Sequence, residues 1–164
     1  VFAKLRVAIL TLPSARGWLE TFLLFLLFAV VALPVAYSGS FFSTRISLAS
    51  WLPIPFTTFF VPALLEEFIW RVLLVPRPQT KYFWPVGLLS LIFYVLSHPL
   101  GAWLFRSTAQ DIFYRPAFLF LAALLGFICL VAYARTKSLW SCVVIHWFVV
   151  AIWLLFGGRA LLET

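Results

Sequence analysis

The chain has 164 residues, of which 65% are hydrophobic, 20% aromatic and only 10% charged. That composition excludes a soluble globular domain and implies one integral membrane unit, 1–164, with room for about five spans of ~20 residues and none for a soluble second domain. The net charge of +7 does not point to nucleic acid, because the twelve basic residues are scattered singly or in pairs between apolar runs, as loop charge at a lipid surface is.

In chain order, Val1 to Leu12 reads as a short interfacial helix, with Lys4 and Arg6 snorkelling while Phe2, Leu5, Ile9 and Leu10 dip into lipid. No small-residue cleavage site precedes a short apolar core between Val1 and Arg16, which speaks against a removable signal peptide. Spans are expected near Trp18–Tyr37, Pro53–Val75, Trp84–Leu104, Pro116–Ala134 and Leu139–Phe156. All five read as helices, since they are too long for barrel strands and lack alternation. The Ser38 to Ser50 connection is rich in Ser, and Arg77-Pro-Gln-Thr-Lys81 reads as a polar turn. The expectation is therefore an all-α, polytopic transmembrane helical bundle.

For five alternating spans, Lys4, Arg6, Arg16, Arg77, Lys81, Arg135 and Lys137 fall on the N-terminal side, against Arg45, Arg106, Arg115 and Arg159 on the other. This bias predicts a cytoplasmic N-terminus in a multi-pass protein.

The second span carries Glu66, Glu67 and Arg71 in its interior, in a chain with five acidic residues in all. The twelve strongly apolar residues from Ile54 to Leu74 contribute roughly −4 to −7 kcal/mol to insertion, and the three charges oppose this with about +7 to +10 kcal/mol. The charged face must therefore point into protein or a water-filled cavity, and intramembrane ionisable residues are functional candidates. Glu67 and Arg71, four apart in acid-before-base order, read as a supporting ion pair. Glu66 lies about 100° further round the helix and is left unpaired, suited to general-base work if a partner and water are near.

The chain's two histidines, His98 and His146, fall in two further spans. Glu66 and His146 come out at similar depth, ~13 Å from the cytoplasmic end, and His98 about 8 Å deeper, so modest tilt brings all three into one layer. Glu plus two His could ligate zinc, but neither His belongs to an H-E-x-x-H helix and no further ligand is apparent, so no metal or other cofactor is expected. Cys129 and Cys142 read as small hydrophobes, and no disulfide is expected. No G-x-S-x-G or Gly-rich phosphate loop is present.

This pattern resembles the CPBP family, the CAAX prenyl protease and bacteriocin-processing group of glutamic-type intramembrane endopeptidases. Glu66-Glu67-Phe-Ile-Trp-Arg71 matches its E-E-x-x-x-R motif, Tyr94-Val-Leu-Ser-His98 its aromatic-x-x-x-His motif, and His146 opens the third, within a motif-bearing core of about 51–157. The resemblance implies an endopeptidase in which Glu66 and His98 activate a water that attacks a peptide carbonyl of a membrane-associated substrate. The third motif's donors, His146 among them, would hold the oxyanion. The expected location is the plasma membrane of a bacterium. The third motif departs from the pattern: where the family places Asn or Asp four residues after the His, this chain has Val150. Loss of one oxyanion donor costs about 10²- to 10³-fold in rate. Trp153, on roughly the same face as His146, is a candidate replacement through its indole N–H. Two rival readings remain open: a noncatalytic membrane scaffold or immunity factor of the same fold, and a proton-coupled carrier using the same buried groups as a relay.

Overall fold

A computed structural model describes residues 2–42, 51–105 and 109–158. Of the described residues 84% are helical, and none lies in a strand. A short helix α1 (Phe2–Leu10) precedes α2 (Ala15–Ser38). Next comes a broken segment, in which α3 (Pro53–Thr58) and α4 (Leu65–Glu67) are joined and followed by π-helical turns, Phe59–Leu64 and Phe68–Leu73. After these come α5 (Phe83–Phe105), the single turn α6 (Gln110–Phe113), α7 (Pro116–Thr136) and α8 (Leu139–Trp153).

Local chemistry sets these ends. Ser14 caps α2 by accepting from the Gly17 amide, and Ser138 caps α8 by accepting from the Trp140 amide. Pro116 opens α7, where its missing N–H costs nothing, and Lys137 closes it in a left-handed conformation at φ 58°. Arg77 to Lys81 is a turn, with the Thr80 amide bonded to the Arg77 carbonyl.

Among the described residues four helices are long and apolar enough to cross a membrane: α2, α5, α7 and α8 with its extension to Phe156. The fifth expected span, Pro53–Val75, is not one straight helix. Val61 is extended (φ −137°, ψ 115°) ahead of Pro62, which lacks an amide hydrogen and crowds the α conformation of its predecessor. Pro55 accepts a 2.7 Å hydrogen bond from Trp147, while Glu67 bonds the adjacent His146. Twelve straight helical residues would advance about 18 Å between these two contacts, so the segment is bent where it passes α8.

The ends of the bundle alternate. At one end the Glu20 carboxylate of α2 takes two hydrogen bonds from Arg135 of α7, Ser138 donates to the Thr11 carbonyl, and Phe83 of α5 packs on Tyr133. At the other, Arg115 donates to the Gly39 carbonyl and Trp51 packs on Phe156. Arg6, Arg16, Arg77, Lys81, Arg135 and Lys137 therefore share one end, as the alternation requires. Arg45, Arg106 and Arg159 lie outside the described residues, as do the side chains of Phe2, Lys4 and Leu5. Of α1's remaining residues, Val7, Ile9 and Leu10 are exposed, while Ala8 packs on Val72, Leu139 and Val143.

The main core joins α2, α5, α7 and α8 around Leu125, Ile128, Cys129, Leu130 and Ile145. Cys129 and Cys142 are free thiols inside it, and each sulfur contacts the other residue's carbonyl, at 3.7 and 3.1 Å. The outward faces of α2 and α5 are lined with exposed Leu, Phe, Ile and Val, as lipid-facing surfaces are.

Candidate active site

The Glu-Glu-Phe-Ile-Trp-Arg sequence lies where α4 passes into a π-helical turn, with the Leu74 amide bonded five residues back to Ile69. Such turns occur often at functional sites, because the extra residue re-aims side chains. Glu67 and Arg71 are both fully buried, and Glu67 Oε2 lies 3.2 Å from Arg71 Nε. This is an ion pair by distance, since neither atom makes an aligned hydrogen bond. Arg71 also donates from Nη2 to the Gly126 carbonyl at 2.9 Å and stands over the Tyr94 ring at 5.6 Å.

Gly126 makes that reach possible. A Cβ there would stand 2.5 Å from Leu91 Cδ1 and about 3 Å from the Tyr94 ring, so only glycine lets α7 come this close to α5.

The ion pair expected from the sequence is one half of a longer chain of contacts. Glu67 Oε1 accepts from His146 Nδ1 at 2.8 Å, which joins Arg71, Glu67 and His146 in a row. Helix-face arithmetic had no access to this contact, because it bridges residues 79 apart in sequence. A carboxylate only accepts, so His146 carries a proton on Nδ1, and in the singly protonated ring Nε2 is the acceptor.

That Nε2 lies 3.9 Å from Glu66 Oε2, too far for a direct hydrogen bond. Glu66 Oε2 is fully enclosed and has no hydrogen-bond partner among the described residues, although the side chain as a whole is 30% exposed. Glu66 is thus the carboxylate outside the ion pair, as the sequence suggested.

His98 Nδ1 is 2.9 Å from the carbonyl of Tyr94, one turn earlier in α5. A carbonyl only accepts, so this fixes the proton on Nδ1 and leaves Nε2 as an acceptor. Among the described contacts His98 touches neither Glu66 nor His146 directly. The Tyr94 ring bridges the offset, meeting the His98 ring edge-on at 4.9 Å and the His146 ring edge-on at 6.3 Å. On its other side His98 meets Phe113 and Phe118 at 5.8 and 5.5 Å.

Trp153 does not fill the role its spacing suggested. Its indole N–H donates to the Phe41 carbonyl at 3.1 Å and its ring packs on Phe118, so the group is committed to holding α8 against the end of α2. Among the described residues no three His, Cys, Asp or Glu side chains are placed to share a metal ion.

Neither the curated proteins nor the solved structures gave a match to the chain. A family profile described as Type II CAAX prenyl endopeptidase Rce1-like matches residues 48–152, which include all three motif-bearing segments. The chain is therefore a member of the Rce1-like branch of the CPBP family, a family of membrane-embedded proteases.

Proposed function

We propose that this protein is a glutamic-type intramembrane endopeptidase in which Glu66 activates a water for attack on a peptide bond of a membrane-associated substrate, without a metal or other cofactor. The observation that carries this reading is the 3.9 Å separation between Glu66 Oε2 and His146 Nε2. With Glu66 ionised and His146 neutral, both atoms are acceptors, and a molecule bridging them must offer two donors. Water does, and it enters between them once the Glu66 side chain, itself 30% exposed, turns its enclosed Oε2 open to it. Glu66 then takes a proton as the water oxygen attacks, the role of a positioned general base.

His146, held through Nδ1 by Glu67 and Arg71, fixes the second acceptor as the orienting member of a catalytic triad does. His98, with Nε2 left as an acceptor, stands beyond Tyr94 as the second imidazole of the site. Partial exposure of Glu66 and His98 supports substrate entry on this side. The basic end of the bundle supports a cytoplasmic N-terminus, and a bacterial plasma membrane is the location the family resemblance favours.

The test is cleavage of a farnesylated, internally quenched peptide by the protein in liposomes. Glu66→Gln and His98→Ala abolish cleavage while the protein still inserts and melts near the wild-type temperature. Wild-type turnover by Glu66→Gln would remove the proposed base.

Val150 favours a second reading, a noncatalytic scaffold with this fold, since its side chain has no donor for an oxyanion. A wild type without proteolysis that also gains none in Val150→Asn would put that reading ahead.

A further inference from the structure

Hydrolysis of a peptide bond moves the carbonyl π pair onto oxygen as the water oxygen bonds to carbon, and a fixed donor must meet that developing charge. Most donors around the site are already engaged. Arg71 is held by Glu67 and the Gly126 carbonyl. His146 and His98 give their Nδ1 protons to Glu67 and to the Tyr94 carbonyl. Ser90 and Ser97 donate to the carbonyls of Trp70 and Tyr94, Trp153 donates to Phe41, and Val150 has nothing to give.

Arg71 Nε makes no hydrogen bond either but is paired by charge with Glu67 at 3.2 Å, and two further donors near the site make none among the described residues, the Tyr94 hydroxyl and the Trp70 indole. Their rings meet at 5.9 Å, but only Tyr94 touches both imidazoles. Tyr94 is 1% exposed and locked by Gly126 behind and Arg71 above, which makes its ring a rigid floor between the two histidines. Its ring stands against the His146 imidazole, whose Nε2 faces Glu66 across 3.9 Å. A phenol whose orientation is set before substrate arrives is the kind of donor that stabilises a transition state without reorganising.

Building on the endopeptidase reading above, we infer that the Tyr94 hydroxyl is the oxyanion donor of this enzyme, standing in for the side chain that Val150 lacks. Glu66 takes the water proton, the new carbon–oxygen bond forms, the π pair moves to the carbonyl oxygen, and the phenol O–H donates a hydrogen bond to it. Collapse of the adduct then breaks the carbon–nitrogen bond as the proton held by Glu66 passes to the leaving amine. Tyr94 is returned unchanged.

Tyr94→Phe tests this cleanly, because it keeps the ring that packs on both histidines and removes only the oxygen. In proteoliposomes with the farnesylated quenched peptide, Tyr94→Phe lowers kcat about 10²- to 10³-fold and leaves KM near the wild-type value, the pattern of an interaction made in the transition state. Trp70→Phe retains wild-type kcat. Tyr94→Phe/Val150→Asn regains much of the loss, because Asn returns the donor that the family pattern places at this position.

Wild-type kcat in Tyr94→Phe, or loss in Trp70→Phe in its place, would overturn the assignment. So would a kcat loss that follows a fall in Tm and is not rescued by Asn at 150. If Tyr94→Phe is fully active while Glu66→Gln is dead, the inference fails and the endopeptidase reading stands. If the wild type does not cleave, both fall together.

Discussion

Glu67 holds two partners at once, His146 Nδ1 at 2.8 Å on one oxygen and Arg71 Nε at 3.2 Å on the other. Removing either partner's counter-charge strands a buried ion, which costs about 3–5 kcal/mol, whereas replacing both charges with apolar groups of similar size is close to neutral. Glu67→Gln and Arg71→Met should each lower the Tm of the purified protein markedly, and Glu67→Met/Arg71→Met should recover most of it. Activity should not return with stability, because His146 has lost the carboxylate that sets its tautomer. A double variant that is both stable and fully active would reduce the pair to a purely structural role.

Gly126 serves α5, α7 and the charged turn together. Gly126→Ala places a methyl group 2.5 Å from Leu91 Cδ1 and against the Tyr94 ring, and the backbone carbonyl that receives Arg71 must shift with it. Overpacking of this kind costs about 1–3 kcal/mol. Proteolysis should fall further than stability, since Tyr94 bears His98 and contacts His146. Unaltered melting and turnover would show that α5 and α7 separate without strain.

Away from the site, Thr21 of α2 donates to the Gly17 carbonyl at 2.8 Å and accepts from the Ser141 hydroxyl of α8 at 2.9 Å in a buried contact. Hydrogen bonds between helices in a bilayer are worth about 0.6–2 kcal/mol. A double-mutant cycle with Thr21→Val and Ser141→Ala should give a coupling in that range while kcat stays at the wild-type value. Zero coupling would mean that the lipid-facing state satisfies both hydroxyls equally well.

The sequence carried the spans and the local spacing, and lost the long-range pairings. Apolar length predicted α2, α5, α7 and α8, because satisfying backbone hydrogen bonds in lipid leaves little choice but helix. The Glu67–Arg71 contact followed from i,i+4 geometry and is present at 3.2 Å. Helix arithmetic treats Pro53–Val75 as straight, however, so the bend at Val61–Pro62 was not anticipated, although Pro62 itself was in plain view. The same arithmetic sees one neighbour per helix face, and therefore missed that Glu67 spends its second oxygen on His146. It placed His98 and His146 in one layer, and had no means of seeing the Tyr94 ring that lies against both.

Trp153 shows why spacing alone overreads a donor. Seven residues after His146, it shares that residue's helix face, yet the turn after α2 brings the Phe41 carbonyl within 3.1 Å of its indole nitrogen, and Phe41 is itself buried against α7 through Phe118. Swinging the indole toward the site would forfeit this bond and leave a buried carbonyl without a partner. Trp153→Phe should therefore lower the Tm modestly, by the equivalent of about 0.6–2 kcal/mol for one interhelical hydrogen bond, and leave kcat intact. The measurement is thermal unfolding in detergent alongside turnover of the farnesylated peptide. A kcat loss of 10² or more at unchanged Tm would return Trp153 to the oxyanion site and remove the reason for placing Tyr94 there.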